Sequence, residues 1–231
     1  MKYLSVIGAV GLSFIFSACQ KSQQRTELKT LQDTISYSIG VDISKNLKGQ
    51  MIEVNPDALA QALKDMSANG KPILTEEQTS SAMMAFQSEM MAKHSAMMKE
   101  AGEKNIKEGQ AFLAENKKKD GVVTLPSGLQ YKILVKGTGR KPGPKDNVSV
   151  NYRGSLVDGT EFDSSEKHGG PAVFPVGGVI KGLSEALQLM PVGSKWQIVV
   201  PPEIGYGSQA MGSQITPNSV LIFEIDLLAI K

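Results

Sequence analysis

The sequence has one cysteine, Cys19, and two histidines, His94 and His168. A single cysteine closes no internal disulfide, so stability has to come from a packed core. The two histidines fall in different halves of the chain, and no Cys/His cluster offers a tetrahedral metal set. No Gly-x-Ser-x-Gly elbow is present to activate a serine. Gly137-Thr138-Gly139 lacks the third glycine of a dinucleotide loop and runs into Lys141-Pro142, which argues against a nucleotide. No cofactor is expected. Charge of one sign is missing too: 25 Lys and Arg face 23 Asp and Glu, for a net +2. A nucleic-acid footprint needs clustered positive charge, so no nucleic-acid partner is expected. The one basic run, Lys117-Lys118-Lys119, suits a solvated helix end, where cations complement the dipole. Apolar residues make up 41% of the 231, enough for one large core or two modest ones.

Long apolar runs are absent as well. Residues 4–16 are apolar with small residues mixed in, but a spanning helix needs roughly 20 such positions. With the positive start Met1-Lys2, residues 1–18 read as a cleaved signal peptide. Phe16-Ser17-Ala18-Cys19 resembles a bacterial lipobox, with Phe16 where that pattern prefers Leu. The resemblance implies that Cys19 is lipidated, becomes the mature N-terminus and anchors the chain to a membrane. Gln20, in place of a retention-signal Asp, implies an outer-membrane lipoprotein of the cell envelope, facing periplasm or surface. The bland alternative is an incidental cysteine in a discarded leader. Residues 19–30 are expected to form a flexible tether.

Residues 31–120 carry helix signals. Asn55-Pro56-Asp57 is a helix start, because proline's missing N–H costs nothing in the first turn. Leu59, Ala62, Leu63 and Met66 follow at helical spacing, and Asn69-Gly70 ends the helix. Thr75-Glu76-Glu77-Gln78 has the form of a capping box. No proline follows before Lys119, which predicts one helix of about 40 residues with Gly102 and Gly109 as its weak points. Met83/Met84, Met90/Met91 and Met97/Met98 recur every seven residues, making an apolar seam. It reads either as a helix-packing or dimer seam or as a pliable surface for unfolded chains. Beyond it, Lys104, Asn105 and Lys107 suggest an exposed strut.

At Asp120-Gly121 the periodicity changes from helix to strand. Leu129, Tyr131, Ile133 and Val135 alternate with polar residues. So do Val148, Val150 and Tyr152, then Trp196, Ile198 and Val200, then Leu221, Phe223, Ile225 and Leu227. Ile180, Leu183, Ala186, Leu187 and Met190 form one apolar helical stripe suited to packing on a sheet. The expected fold class is α+β.

Six blocks then occur in order: Val150-Asn151-Tyr152-Arg153-Gly154; Asp158-Gly159-Thr160-Glu161-Phe162-Asp163-Ser164-Ser165; Phe174-Pro175-Val176-Gly177-Gly178-Val179-Ile180-Lys181-Gly182; Met190-Pro191-Val192-Gly193; Pro201-Pro202-Glu203-Ile204-Gly205-Tyr206-Gly207; and Pro217-Asn218-Ser219-Val220-Leu221-Ile222-Phe223-Glu224. Together they resemble the FKBP-type peptidyl-prolyl cis/trans isomerases. The helical half looks like the dimerising arm of the macrophage infectivity potentiator (Mip) group of that family. The resemblance implies an antiparallel sheet wrapped on a short helix over residues 121–231, preceded by an all-helical dimerisation domain with a long connecting helix over 31–120.

It further implies a site. Asp163, Tyr206, Phe162 and Tyr152 would be catalytic, with Phe174, Val179, Ile180, Leu183, Ile215 and Phe223 binding substrate. Tyr206 O–H and the Ile180 backbone N–H would hydrogen-bond substrate carbonyls, and Asp163 would face the carbonyl that rotates. Without the family, most of these residues would read as core and Asp163 as a turn-stabilising residue beside Ser164. Three positions depart from a common family pattern: Leu183 replaces a floor Trp, Ala172 an aromatic wall, and His168 lies near a usually basic site. The implied partners are proline-containing polypeptides, including unfolded exported proteins, and a second copy of the chain. FK506-like macrolides are further possible ligands. Two rival readings stay open: a proline-binding module with chaperone arms, and a structural surface protein.

Overall fold

The computed structural model describes residues 27–67 and 70–231. The expected leader and Cys19, the expected lipidation residue, lie outside the described residues, as does Asn69. The chain divides into two compact units between Thr75 and Glu76.

The first unit holds two helices, α1 (Leu31–Gly49) and α2 (Pro56–Ser67). Thr30 and Asp33 close a capping box at the start of α1: Thr30 Oγ1 accepts from the Asp33 N–H and Asp33 from the Thr30 N–H. Each partner satisfies a backbone donor the helix cannot use. Asn55 Oδ1 accepts from the N–H of Asp57 at 2.9 Å and of Ala58 at 3.3 Å, as a cap ahead of Pro56 should. Neither helix has a buried residue. Ile35, Ile39, Ile43, Leu59, Leu63 and Met66 are all exposed.

The second unit opens with α3 (Glu76–Asn116), 41 residues without a break. At 1.5 Å per residue it is about 60 Å long. The methionine seam is open: Met83 is 51% and Met91 73% exposed. The expected exposed strut beyond it needs correction. Lys104 and Lys107 are exposed, but Asn105 is half-buried and Gly102, Gly109 and Asn116 are buried. A Cβ on Gly102 would lie 3.3 Å from Pro217 and Asn218, and one on Gly109 2.8 Å from Val220. The glycines read as weak points are therefore where the helix backbone docks on the domain that follows. Asn116 Nδ2 donates to Gln130 Oε1 at 2.8 Å within that interface.

Seven strands follow, all antiparallel: β1 (Val122–Thr124), β2 (Gln130–Val135), β3 (Asn147–Leu156), β4 (Glu161–Ser164), β5 (Ala172–Pro175), β6 (Lys195–Val200) and β7 (Leu221–Ile230). Their order is β1-β2-β6-β7-β3-β4, with β5 also pairing β3. Register shifts in the β2/β6, β3/β4 and β3/β7 pairs mark bulges, which bend and twist a sheet. Helix α4 (Lys181–Leu189) carries the predicted stripe. Leu183, Ala186, Leu187 and Met190 join Val150, Ile198, Val200, Leu221 and Ile225 in one buried core. Trp196 belongs to the core through β6, its ring stacked on Tyr131 with centroids 4.4 Å apart.

Candidate active site

The site is organised around Gly154 on the central strand β3. Gly154 lies opposite Phe223 on β7 and opposite Asp163 on β4. On β4 the pairing jumps from Gly154–Asp163 to Ser155–Glu161, leaving Phe162 as the extra residue. Neighbours on a regular strand point to opposite faces. The bulge relaxes that rule, and Phe162 reaches Phe223 on β7 while Asp163 reaches Tyr152 on β3. The Phe162 ring meets Phe223 edge to face, centroids 5.6 Å apart at 85°, the arrangement aromatic quadrupoles prefer. Both rings occupy space that only a glycine leaves free: a Cβ on Gly154 would come within 2.5 Å of Phe162.

Asp163 stands beside this aromatic pair. The Tyr152 hydroxyl donates to its Oδ2 at 2.6 Å, the Ser164 N–H donates to Oδ1 at 2.9 Å, and His168 Nε2 lies 2.8 Å from Oδ1. Burial pushes the Asp163 carboxyl up, but these donors outweigh it and hold the group below the usual carboxylate range. The same contact works the other way on Tyr152. Burial first, then the Asp163 carboxylate and the neighbouring Tyr206, raise the phenol well above its ordinary value. At neutral pH Asp163 is an anion and Tyr152 a neutral donor. Ser165 ties both strands together, its Oγ accepting from the Tyr152 N–H at 3.1 Å.

The remaining expected positions pack in or against the same hydrophobic core. Ile215 and Phe223 are each 6% exposed and Leu183 9%. Tyr152, Phe162, Phe174, Val179, Ile180 and Tyr206 are half-buried against the same core. Such positions offer an apolar body to a ligand while staying reachable. Ile180 is the N-cap of α4 in an extended conformation (φ −56°, ψ 150°), with no side chain capping the helix. The first N–H groups of a helix lack intrahelical partners. Among the described residues no group of three His, Cys, Asp or Glu converges as a metal site would need.

Two family models match the chain: one described as FKBP-type peptidyl-prolyl cis-trans isomerase, over residues 138–228, and one as the domain amino terminal to it, over 32–133. The outer membrane protein MIP of Legionella longbeachae is 47% identical, across 99% of this chain and 98% of that one. The chain belongs to the FKBP-type peptidyl-prolyl cis-trans isomerases. The Mip isomerase of Coxiella burnetii is another relative of this FKBP, 42% identical across 89% of this chain and 90% of that one. The crystal structure of FkpA from Escherichia coli is 32% identical with a TM-score of 0.68, covering 89% of this FKBP and 99% of FkpA.

Nine of the ten site residues expected from the FKBP blocks pack in or against one core, and the tenth, Asp163, is held by Tyr152 across the β3/β4 pair. Leu183 sits on the first turns of α4, while the lone Trp196 lies on β6 against Tyr131. Three further contributors were not singled out as site residues: His168, which holds Asp163; Ser165, which joins the strands; and Gly154, which makes room for the rings. The block Asp163-Ser164-Ser165 with His168 one helical turn on was the available signal for the first two. For Gly154, a glycine inside a strongly alternating strand already hinted at a close approach.

Proposed function

We propose that this isomerase turns X–Pro bonds by holding the prolyl ring against Phe162, Phe223, Phe174, Val179 and Leu183 while the peptide carbonyl swings past Asp163. Amide rotation crosses a barrier of about 18–20 kcal/mol set by resonance. Uncatalysed prolyl exchange takes tens to hundreds of seconds. At the midpoint the C–N bond is twisted and the carbonyl is less polar than in the planar amide. A water-poor aromatic wall disfavours the planar form more than the twisted one, which is differential binding of the transition state. No nucleophile and no covalent intermediate are needed. Tyr206 O–H and the Ile180 N–H anchor the flanking carbonyls; the uncapped start of α4 suits the second role. Ile215 covers the ring from the loop after Tyr206. Asp163, fixed by Tyr152 and His168, presents a carboxylate to the rotating group.

The observation that carries this reading is the edge-to-face pair of Phe162 and Phe223 set directly beside a tethered carboxylate. Its test is isomerisation of short X–Pro peptides by wild type, Asp163→Leu and Tyr206→Phe, repeated on a protein whose refolding waits on proline. Both variants lose activity on both substrates. Variants as fast as wild type would remove these roles.

The natural setting follows from the termini and arms. Cys19 carries lipid and anchors the mature chain in the outer membrane, where it assists folding of exported proteins. The arms join two copies: α1 and α2 bury none of their own residues, and an apolar face so open needs a partner. Sedimentation of the full chain yields a dimer, and removal of residues 27–75 yields a monomer. A monomeric full chain would refute the pairing. Leu183 leaves more room at the pocket floor than Trp, so an FK506-like macrolide binds weakly and Leu183→Trp tightens it, as competition in the peptide assay would report.

A further inference from the structure

We propose that Asn105, on the long helix α3, is a positioning residue for the proline site. This rests on the isomerase reading of the pocket and adds a control element outside it. Asn105 is remote in sequence from every pocket residue, yet its side-chain amide points into the loop that carries two of them. Nδ2 donates to Thr216 Oγ1 at 2.7 Å, to the Pro217 carbonyl at 2.8 Å and to Ser219 Oγ at 3.2 Å. Two amide hydrogens are shared among three acceptors, all in one turn of backbone.

That turn is the base of a flap. The flap leaves the core after Tyr206 and returns through Ile215, which is buried in the hydrophobic core. Its tip is a narrow bridge between Met211 and Ile215. Its neck is closed by the Asn218 N–H, which donates to the Gly207 carbonyl at 2.8 Å. Asn218 holds a left-handed backbone, φ 58°, uncommon outside glycine. Ser219 Oγ, one of the Asn105 acceptors, itself donates to the Thr216 carbonyl at 2.7 Å. Tyr206 and Ile215 are thus joined by backbone to residues that α3 grips.

The helix is shaped for this contact. Gly102, Asn105 and Gly109 lie at i, i+3 and i+7, one face of a helix. The two glycines let the backbone approach Pro217, Asn218 and Val220, and Asn105 between them supplies the hydrogen bonds. A loop fastened at its base keeps its tip in the bound arrangement before substrate arrives, which lowers the ordering cost of binding. Loss of the fastening therefore weakens substrate binding and leaves the chemical step alone.

The test uses the full-length protein. Asn105→Ala removes the side chain, Asn105→Asp keeps its volume and removes the donated hydrogens, and Thr216→Val removes an acceptor from the other side. Lys107→Ala, on an exposed position of the same helix, is the control. Peptide isomerisation is measured well below the melting temperature, together with amide exchange in the flap. The first three variants raise KM about fivefold with kcat within about twofold, the pattern of lost uniform binding. Combining Asn105→Ala with Thr216→Val adds little further, and the Asn218 amide exchanges faster while β7 amides do not. Wild-type KM in both Asn105 variants, or an equal rise in Lys107→Ala, overturns the proposal. So does a lowered melting temperature with unchanged KM, because Asn105 would then be a structural fastening alone. A wild-type protein without activity would instead refute the isomerase reading itself.

Discussion

Gly154→Ala places a methyl group 2.5 and 2.6 Å from two ring carbons of Phe162 and 3.0 Å from one of Phe223. Ordinary contact at such a position is 3.4–4 Å, so the rings have to retreat by roughly an ångström. The backbone at Gly154 is not left-handed, and alanine adopts it without strain, so the whole effect is steric. Overpacking of this kind costs about 1–3 kcal/mol. In a domain of about 100 residues each kcal/mol lowers the melting temperature by about 4–8 °C. The larger effect falls on activity, since a displacement of about 1 Å at a positioning surface can cost up to about 100-fold. We expect kcat/KM for an X–Pro peptide to fall by about 10- to 100-fold in a variant that remains folded at assay temperature. Gly143→Ala is the control, its methyl meeting nothing closer than 3.7 Å. A folded Gly154→Ala protein with wild-type kcat/KM would refute the idea that the Phe162–Phe223 pair forms the catalytic wall.

Tyr152→Phe removes the hydroxyl that donates to Asp163, so the Asp163 carboxyl titrates closer to its ordinary value, followed by carbon NMR, and kcat/KM falls about three- to tenfold. A carboxyl whose folded pKa lies below its unfolded one adds stability above about pH 3.9, lost as pH falls through the folded value. Asp163 is such a group, so Asp163→Asn destabilises more at pH 7 than at pH 3 in urea titrations; an equal loss at both would refute its net stabilisation as an anion. A fragment of residues 98–231 melts higher than one of 122–231, because only the first retains Gly102, Asn105, Gly109 and Asn116 against the sheet domain; equal melting would show that docking contributes nothing.

The main elements of the fold are readable from periodicity. The apolar stripe from Ile180 to Met190 became α4 packed on the sheet, and the four alternating runs became β2, β3, β6 and β7. Strands β1, β4 and β5 span three or four residues each, too few to show a period of two, and their pairing is set by the neighbouring strand instead. The error on α3 has a different cause. Asn105 looks like a solvent-facing polar residue because its partners lie 111 to 114 positions later, and nothing local marks them. The site shows the same division. The family blocks pointed to Asp163, Tyr152 and Phe162 by name, but the bulge that lets Phe162 reach β7 and Asp163 reach β3 emerges only when β3 and β4 are paired.

Because α3 is unbroken from Glu76 to Asn116, it works as a ruler as well as a clamp. Met91 and the residue that grips the flap are on the same rod, separated by 14 rises of 1.5 Å, or about 20 Å. An extended polypeptide covers that span in about six residues at 3.3–3.6 Å each. Were a client strand held at Met91, it would present to the flap only prolines about six or more residues away, so the spacing along the helix would select which bonds of that chain are within reach.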